Sequence, residues 1–233
     1  MKKEILVTGA SRGLGFCFVK RYLEEGNRVF AGYRNNAGGL KALKQEYGAL
    51  LDLVVLDVAD TASVEAAVGE IKELTNHLDI VINSAGIHSD TSFEILEITN
   101  LDDCSFVYNV NAVGPLRVAK AFLPLIRNGN APKIINISSE SGSITWSGRV
   151  KEFDYCMSKA ALNMGSKLLS NYLKEDKISV LAVQPGWMRT DMGGPNADLD
   201  PYETAVKLEK LFQSIKDLDT PIFIDNEGQS IPW

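Results

Sequence analysis

The sequence predicts a single α/β domain with a doubly wound parallel sheet of about seven strands and helices on both faces. Short runs rich in Val, Ile and Leu alternate along the chain with longer segments of helical periodicity. Most of these runs are nearly continuous in apolar residues, which is typical of strands that helices cover on both sides. The 233 residues are 45% hydrophobic and 23% charged, which is typical of a globular domain with a sizeable core.

The predicted strands are the seven apolar runs Ile5–Val7, Arg28–Ala31, Leu51–Leu56, Leu78–Ile82, Lys133–Ile137, Ile178–Val183 and Ile222–Ile224. The predicted helices lie between them, at Gly13–Glu25, Ala37–Tyr47, Ala62–Thr75, Leu101–Ile126, Tyr155–Glu175 and Pro201–Lys216. The sequence contains no low-complexity linker and no internal repeat, so we expect one domain over residues 1–233. Gly193–Asp200 is predicted as a loop after the carboxyl end of a strand, where open α/β sheets bind ligands.

Charge and hydropathy exclude several classes of partner. The net charge is −6 at pH 7, whereas non-specific binding to nucleic acid needs a basic surface. The N-terminal apolar run Ile5–Val7 is too short for the core of a signal peptide. No apolar run approaches the roughly 18 residues of a membrane span. We therefore expect a cytoplasmic protein with neither a nucleic-acid nor a membrane partner.

The cysteines and histidines give no metal-binding pattern. Cys17, Cys104 and Cys156 are odd in number and match no zinc spacing, so we expect three reduced thiols. His77 and His88 are the only histidines and form no pair at metal spacing. We expect no metal site, and structural or surface roles for both histidines.

A glycine-rich turn follows the first predicted strand. In Thr8–Gly15, glycines stand at positions 9, 13 and 15. Gly9 permits a tight turn off the strand, Gly13 lets backbone N–H groups approach a pyrophosphate, and Gly15 lets the next helix pack closely on the sheet. The helix N-terminus then offers unsatisfied N–H groups and a partial positive charge to an anion. The strand before and the helix after the turn indicate a dinucleotide site.

The second strand indicates which dinucleotide binds. NAD sites commonly carry Asp or Glu about 20 residues after the glycines, to accept a hydrogen bond from the ribose 2′-hydroxyl. Here that strand ends without a carboxylate, and Arg34 occupies the position of the 2′ group. Arg12, after Ser11 in the glycine turn, adds a second guanidinium. Two guanidinium groups suit a 2′-phosphate, which favours NADP(H). The alternative is that both arginines are ordinary surface residues.

A tyrosine and a lysine open the fifth predicted helix. Tyr155 and Lys159 are four residues apart and so lie on one helix face. An ammonium group close to a phenol lowers the phenol's pKa by roughly 1–3 units, toward the range useful for acid–base catalysis. Ser139 follows the carboxyl end of a strand, where its hydroxyl can donate to a substrate oxygen. Alone, each of these features also fits a chance helix pair or a serine-rich turn.

Taken together, the motifs resemble those of short-chain dehydrogenases/reductases over essentially the whole chain. They are, in chain order, Thr8–Gly15, Asn83–Gly86, Asn111, Ser139, Tyr155 with Lys159, and Pro185–Gly186. Within this family the chain is most similar to the small carbonyl reductases of the sniffer and C-factor type. Three features carry that similarity: sixteen residues from Ser139 to Tyr155, the stretch Pro185–Gly194, and the ending Gly228–Trp233.

The resemblance implies a Rossmann fold and four catalytic roles. Tyr155 would donate a proton to the carbonyl oxygen, and Ser139 would hold and polarise that oxygen. Lys159 would bind the nicotinamide ribose and tune Tyr155, while Asn111 would anchor a water in the proton relay.

The resemblance also implies the cofactor contacts. The phosphate loop would contribute Gly9, Ser11, Arg12, Gly13, Leu14 and Gly15, with Arg34 beside it. Further contacts would come from Asp57 and Val58 near the adenine, from Asn83, Ala85 and Gly86, and from Pro185, Gly186 and Thr190 around the nicotinamide. Ser84 and Gln184 depart from the residues that relatives often carry there, Asn and His.

The predicted activity is reduction of a ketone, aldehyde or quinone by NADPH. A nucleotide-sugar epimerase or dehydratase is one alternative, although the segment after Pro185–Gly186 is short for the larger substrate domain of that branch. A signalling protein that holds NADP(H) without turnover is the other. Trp146, Phe153, Trp187 and Met192 are candidates for an apolar substrate wall or for ordinary packing. Relatives include dimers and tetramers through the helices at 101–126 and 155–175, as well as monomers.

Overall fold

A computed structural model describes residues 2–216, 218 and 220–233. Seven parallel strands form one sheet: β1 (Glu4–Thr8), β2 (Arg28–Tyr33), β3 (Leu51–Val55), β4 (Ile80–Asn83), β5 (Lys133–Ile137), β6 (Ser179–Val183) and β7 (Phe223–Ile224). Their order across the sheet is β3-β2-β1-β4-β5-β6-β7. The predicted doubly wound sheet is confirmed, and each strand overlaps its predicted apolar run.

The helices connect the strands: α1 (Gly13–Glu24), α2 (Leu40–Tyr47), α3 (Thr61–Lys72), α4 (Cys104–Tyr108), α5 (Gly114–Arg127), α6 (Phe153–Tyr172) and α7 (Pro201–Ser214). Side-chain caps fix two of their starts. The Asp60 carboxylate accepts from the Ala62 N–H at 3.0 Å, and the Asp200 carboxylate accepts from the Tyr202 N–H at 2.9 Å. Both caps satisfy donors that a helix start leaves unpaired.

The predicted single helix Leu101–Ile126 is wrong in detail. A 3₁₀ turn at Leu101–Asp103 leads into α4, and a π-helical turn at Asn109–Val113 separates α4 from α5. The N–H of Gly114 bonds to the carbonyl of Asn109, five residues back, so the π turn holds one extra residue. Apolar periodicity continues on both sides of such a turn and therefore does not reveal it.

Alternate residues of the strands supply two hydrophobic cores, one on each face of the sheet. Ile5 and Val7 of β1 belong to the core that also contains Phe18 and Phe212. Leu6 points the other way, into the core beneath α3 and α5. Because both faces are buried, the strands read as continuous apolar runs in the sequence.

The sheet register brings the ends of the three central strands level. Thr8 of β1 pairs with Asn83 of β4, and Asn83 pairs with Asn136 of β5. The chain leaves β1 toward β2 on one side, while β4 lies on its other side. The crevice outside the carboxyl ends of β1 and β4 is therefore the switch point where open α/β sheets bind ligands.

Candidate active site

The glycine turn after β1 has no room for a side chain at positions 9 and 15. Gly9 has a φ of +64°, and a Cβ on it would lie 2.7 Å from Cα of Ala85. A Cβ on Gly15 would collide with the carbonyl of Gly9. Among the described residues, no side chain caps the start of α1 at Arg12. The first turn of α1 therefore lies at the cavity with its N–H groups uncapped by a side chain.

The two predicted arginines lie at this end of the crevice, and they differ in whether a carboxylate pairs with them. Arg12 Nη1 lies 3.0 Å from Oδ2 of Asp191, and both side chains are largely exposed. Arg34 is exposed, and within the described part of the chain it makes no ion pair. Arg34 is therefore the guanidinium free to pair with a ligand, whereas Arg12 would be shared with Asp191.

A cavity of about 690 Å³ runs from the glycine turn along the carboxyl ends of the strands. The predicted site residues that line it are Gly9, Ser11, Arg12, Gly13, Leu14, Gly15, Arg34, Asp57, Val58, Ala85, Gly86, Ser139, Tyr155, Lys159, Pro185, Gly186 and Thr190. Residues spread along most of the chain thus converge on one cavity. Asn83 and Asn111 are the two predicted residues outside its lining.

Asn83 is used inside the sheet instead of at the cavity surface. Its side chain is buried, and Nδ2 donates to Oδ1 of Asn136 at 2.8 Å. Asn136 in turn donates to Oγ of Ser166 on α6 at 2.8 Å. This chain of bonds ties β4, β5 and α6 together beneath the cavity.

Asn111 lies in the π turn and is fully buried. Its Oδ1 accepts from the N–H of Ile87 at 2.8 Å, and its Nδ2 donates to the carbonyl of Ile87 at 2.7 Å. The same Nδ2 donates to Oγ of Ser158 on α6 at 3.0 Å. Both amide hydrogens are therefore committed, and the side chain fixes the start of the loop after β4.

Tyr155 and Lys159 lie on one face of α6, as predicted. Nζ of Lys159 lies 5.5 Å from the centroid of the Tyr155 ring and donates to the carbonyl of Ile137 at 2.7 Å. Burial lowers the pKa of Lys159 to about 8. Burial also raises the pKa of Tyr155 to about 12, although the nearby Ser139 side chain acts to lower it.

The predicted lowering of the Tyr155 pKa by Lys159 is therefore wrong for the protein without a ligand. Removing a phenolate from water costs more than the surrounding charges return, so desolvation decides the direction of the shift. The spacing of Tyr155 and Lys159 fixes only their shared helix face, whereas the shift depends on how the fold covers them.

Ser139 follows β5 with an extended backbone and caps the short 3₁₀ turn Glu140–Gly142. Its hydroxyl accepts from the N–H of Ser141 at 3.1 Å and donates to Oγ of Ser141 at 3.0 Å. Ser139 and Tyr155 both line the cavity, so their two hydroxyl groups belong to the same wall.

Two of the four candidate wall residues lie at the cavity. Trp187 and Met192 line the cavity and are partly exposed. Trp146 and Phe153 do not line the cavity. The indole of Trp146 is 57% exposed on the outer surface. Trp187 and Met192, which follow β6, therefore give the cavity an apolar surface. Trp146 and Phe153, which precede Tyr155, contribute nothing to its lining.

Sequence reasoning missed several residues of the cavity wall. His88, predicted to be structural or at the surface, lines the cavity with its ring 5.1 Å from that of Phe93. Arg149 lines it too, paired with Glu152 and, at 3.3 Å, with Glu140. The position of His88 just after β4 was the available signal, since loops at carboxyl strand ends build such sites.

In residues 2–216, 218 and 220–233, no group of three or more His, Cys, Asp or Glu side chains is placed to hold a metal ion. No helix in the same residues is long and apolar enough to cross a membrane. The three cysteines are free thiols.

Comparison with known proteins identifies the family. A family model described as short chain dehydrogenase matches residues 3–199. The chain belongs to the short-chain dehydrogenase family. The predicted fold and the predicted class of enzyme, an oxidoreductase of this family, are thereby confirmed.

Solved structures of this family superpose on nearly the entire chain. An NADPH-bound carbonyl reductase from chicken fatty liver is 33% identical with a TM-score of 0.92, and the match covers 100% of this chain and 99% of that one. The carbonyl reductase Sniffer of D. melanogaster is 27% identical with a TM-score of 0.91, and both chains are covered completely. C-signal of Myxococcus xanthus is 31% identical over 68% of this chain and 95% of its own length. The predicted resemblance to the sniffer and C-factor type is confirmed.

Proposed function

We propose that this short-chain dehydrogenase uses NADPH to reduce a ketone, aldehyde or quinone to the alcohol, with Tyr155 as the proton donor. One observation carries the proposal. A single cavity is lined by the glycine turn, which suits an anion, and by Ser139 and Tyr155, whose hydroxyls suit a carbonyl oxygen. A dinucleotide and a small carbonyl compound would therefore bind side by side in it.

The residues at the glycine turn fit a dinucleotide phosphate. Gly9 and Gly13 have positive φ values of 64° and 55°, and the uncapped start of α1 provides N–H donors. Arg34, which lacks an ion-pair partner among the described residues, suits a 2′-phosphate. Bound NADP(H) would supply the hydride, which is chemistry that side chains lack. The NADPH bound to the carbonyl reductase from chicken fatty liver supports the same choice here.

The hydroxyl pair suits protonation of a carbonyl oxygen. With a pKa of about 12, Tyr155 is a neutral phenol at pH 7 and carries the proton that reduction needs. An alkoxide is a stronger base than a phenolate, so proton transfer from Tyr155 to the developing alkoxide is favourable. Ser139 would donate a hydrogen bond to the same oxygen and orient it.

Lys159 and Asn111 would complete the site. The ammonium group of Lys159, held by the Ile137 carbonyl, would bind the ribose hydroxyls and lower the cost of a Tyr155 phenolate. The Asn111 side chain is fully used, so a relay water would bind its main-chain oxygen.

The test follows the absorbance of NADPH during incubation with aromatic aldehydes, diketones and quinones. Tyr155→Phe should lower kcat by about 10²–10⁴-fold while leaving the Kd for NADPH within about twofold of wild type. NADH is run in parallel as the cofactor control. Equal turnover by wild type and Tyr155→Phe would overturn the role of Tyr155.

A second candidate function is suggested by one relative. C-signal matches 68% of this chain, so a protein that holds NADP(H) for signalling is the alternative. Such a protein would change NADPH fluorescence on binding and leave the NADPH absorbance constant with every carbonyl compound. Consumption that requires Tyr155 would exclude a protein that acts only by binding.

A further inference from the structure

We infer that Asp154 is a positioning residue that fastens the loop after β4 to helix α6 beside Tyr155 and so sets the substrate end of the cavity. This inference rests on the proposed function, because it assigns the loop a part in substrate binding. Asp154 does not line the cavity and would act only through the residues it holds.

The carboxylate of Asp154 is 1% exposed and is satisfied by donors from the loop. Oδ2 accepts from the N–H of Ser89 at 2.7 Å, and Oδ1 accepts from the hydroxyl of Ser92 at 2.6 Å. A third bond reinforces this contact, since the N–H of Glu152 donates to the carbonyl of Ser92 at 2.8 Å. The first turn of α6 therefore binds the loop at two points, three residues apart.

The charge of Asp154 is held by hydrogen bonds alone. Burial raises the pKa of this carboxyl, but the bonds from Ser92, Ser89 and the Tyr155 backbone outweigh burial and hold the pKa below its usual range. Among the described residues, no lysine or arginine pairs with Asp154. A carboxylate with only neutral donors is specific in geometry, because each oxygen needs its own donor in place.

The loop fastened in this way supplies part of the substrate wall. Ile87, His88 and Phe93 of this loop line the cavity. Asn111 holds the start of the loop through both backbone groups of Ile87. Asp154, adjacent to Tyr155 in the chain, holds the rest through Ser89 and Ser92. The wall therefore keeps a fixed distance from the catalytic hydroxyl.

The main test is Asp154→Asn, which keeps the shape of the side chain but places an NH₂ group against one of the loop donors. We expect KM for the carbonyl substrate to rise about tenfold or more. The Kd for NADPH should stay within about twofold, because Asp154 binds the loop at Ser89 and Ser92, whereas the part of the loop that approaches the glycine turn is Ala85. If Asp154 served only the stability of the fold, Asp154→Asn would not raise KM for the carbonyl substrate while leaving Kd for NADPH unchanged.

Asp79 provides a matched control at the other end of β4. It is 3% exposed and accepts from the N–H groups of Glu4 at 2.9 Å and Asn130 at 2.7 Å. Asp79→Asn should lower the thermal midpoint as much as Asp154→Asn does, yet leave KM unchanged. An equal rise in KM in both variants, or no rise in Asp154→Asn, would overturn the inference.

Two further measurements keep the test decisive. Ser92→Ala removes one bond and should raise KM by a smaller factor than Asp154→Asn does. The double variant should have nearly the same KM as Asp154→Asn alone, because both changes break the same contact. Hydrogen exchange over residues 87–93 should accelerate in both variants and not in Asp79→Asn. If Asp154→Asn does not fold, Ser92→Ala replaces it, and unchanged KM and exchange would overturn the inference. If wild type consumes no NADPH, the proposed function fails. Hydrogen exchange over residues 87–93 that is as slow in the variants as in wild type would then show that Asp154 does not hold the loop.

Discussion

Lys159 lies under the Tyr155 ring, with Nζ 5.5 Å from the ring centroid, and gives its hydrogen bond to the Ile137 carbonyl at 2.7 Å. A buried ammonium group and a partly buried phenol thus lie side by side without an ion pair between them. Burial moves their pKa values in opposite directions, to about 8 for Lys159 and about 12 for Tyr155. In the protein without a ligand, keeping the buried Lys159 side chain charged therefore costs free energy of folding.

The buried lysine predicts a pH dependence of stability. Between pH 8 and 10.5 the unfolded chain keeps the Lys159 proton that the folded chain has lost, so the free energy of unfolding rises with pH. Relative to Lys159→Met, wild type should gain roughly 2 kcal/mol between pH 8 and 10. Urea unfolding of both proteins at several pH values measures this difference, in which the other titrating groups cancel. A constant difference would contradict the lowered pKa.

Arg34 predicts the choice of cofactor. Replacing it with Glu removes the cation expected at the 2′-phosphate and adds a charge that repels the phosphate. We expect kcat/KM for NADPH to fall about 10–100-fold, with little change for NADH. Arg12→Ala should cost less, since Asp191 already shares that guanidinium. An unchanged ratio of NADPH to NADH activity would show that Arg34 does not touch the phosphate.

The glycine turn predicts two substitutions of unequal cost. A methyl group on Gly9 would meet Cα of Ala85 at 2.7 Å, whereas on Gly13 it would meet only Cγ2 of Thr190 at 3.6 Å. Both positions have positive φ, so Gly13→Ala should cost about 1 kcal/mol in unfolding free energy. Gly9→Ala adds overpacking and should cost about 3 kcal/mol. Denaturant unfolding without cofactor compares them, and equal losses would rule out the close approach.

Lys177 predicts a stabilising change far from the site. It has a φ of +56° after the end of α6, where its N–H bonds to the Lys174 carbonyl at 3.0 Å. Lys177→Gly should raise the free energy of unfolding by about 0.5–1 kcal/mol, because glycine adopts this conformation without strain. Gly48→Ala is the contrasting variant and should lower the free energy of unfolding, since Gly48 combines a φ of +55° with a ψ of −119°, a conformation that suits glycine alone. Activity should change in neither variant.

The sequence predicted those features that depend on local pattern. The strands could be predicted because both faces of the sheet are buried, which makes each strand a continuous apolar run. The glycine turn could be predicted because its spacing follows from the packing of β1 against α1. The place of Arg34 at the cavity could be predicted because it follows the end of β2 at a fixed distance from that turn. In each case the physical cause acts within one strand–turn–helix unit, so neighbouring residues carry the information.

Tertiary structure alone decided the features that join distant segments. Asp154 meets Ser89 and Ser92 only because α6 packs against the loop after β4, and the π turn at Asn111 forms as its side chain binds Ile87. The pKa of Tyr155 rises instead of falling because the fold removes water from the phenol. The sequence by itself thus determined which residues reach the carboxyl edge of the sheet. Desolvation and long-range hydrogen bonds, which depend on the whole fold, decided how those residues are held and charged there.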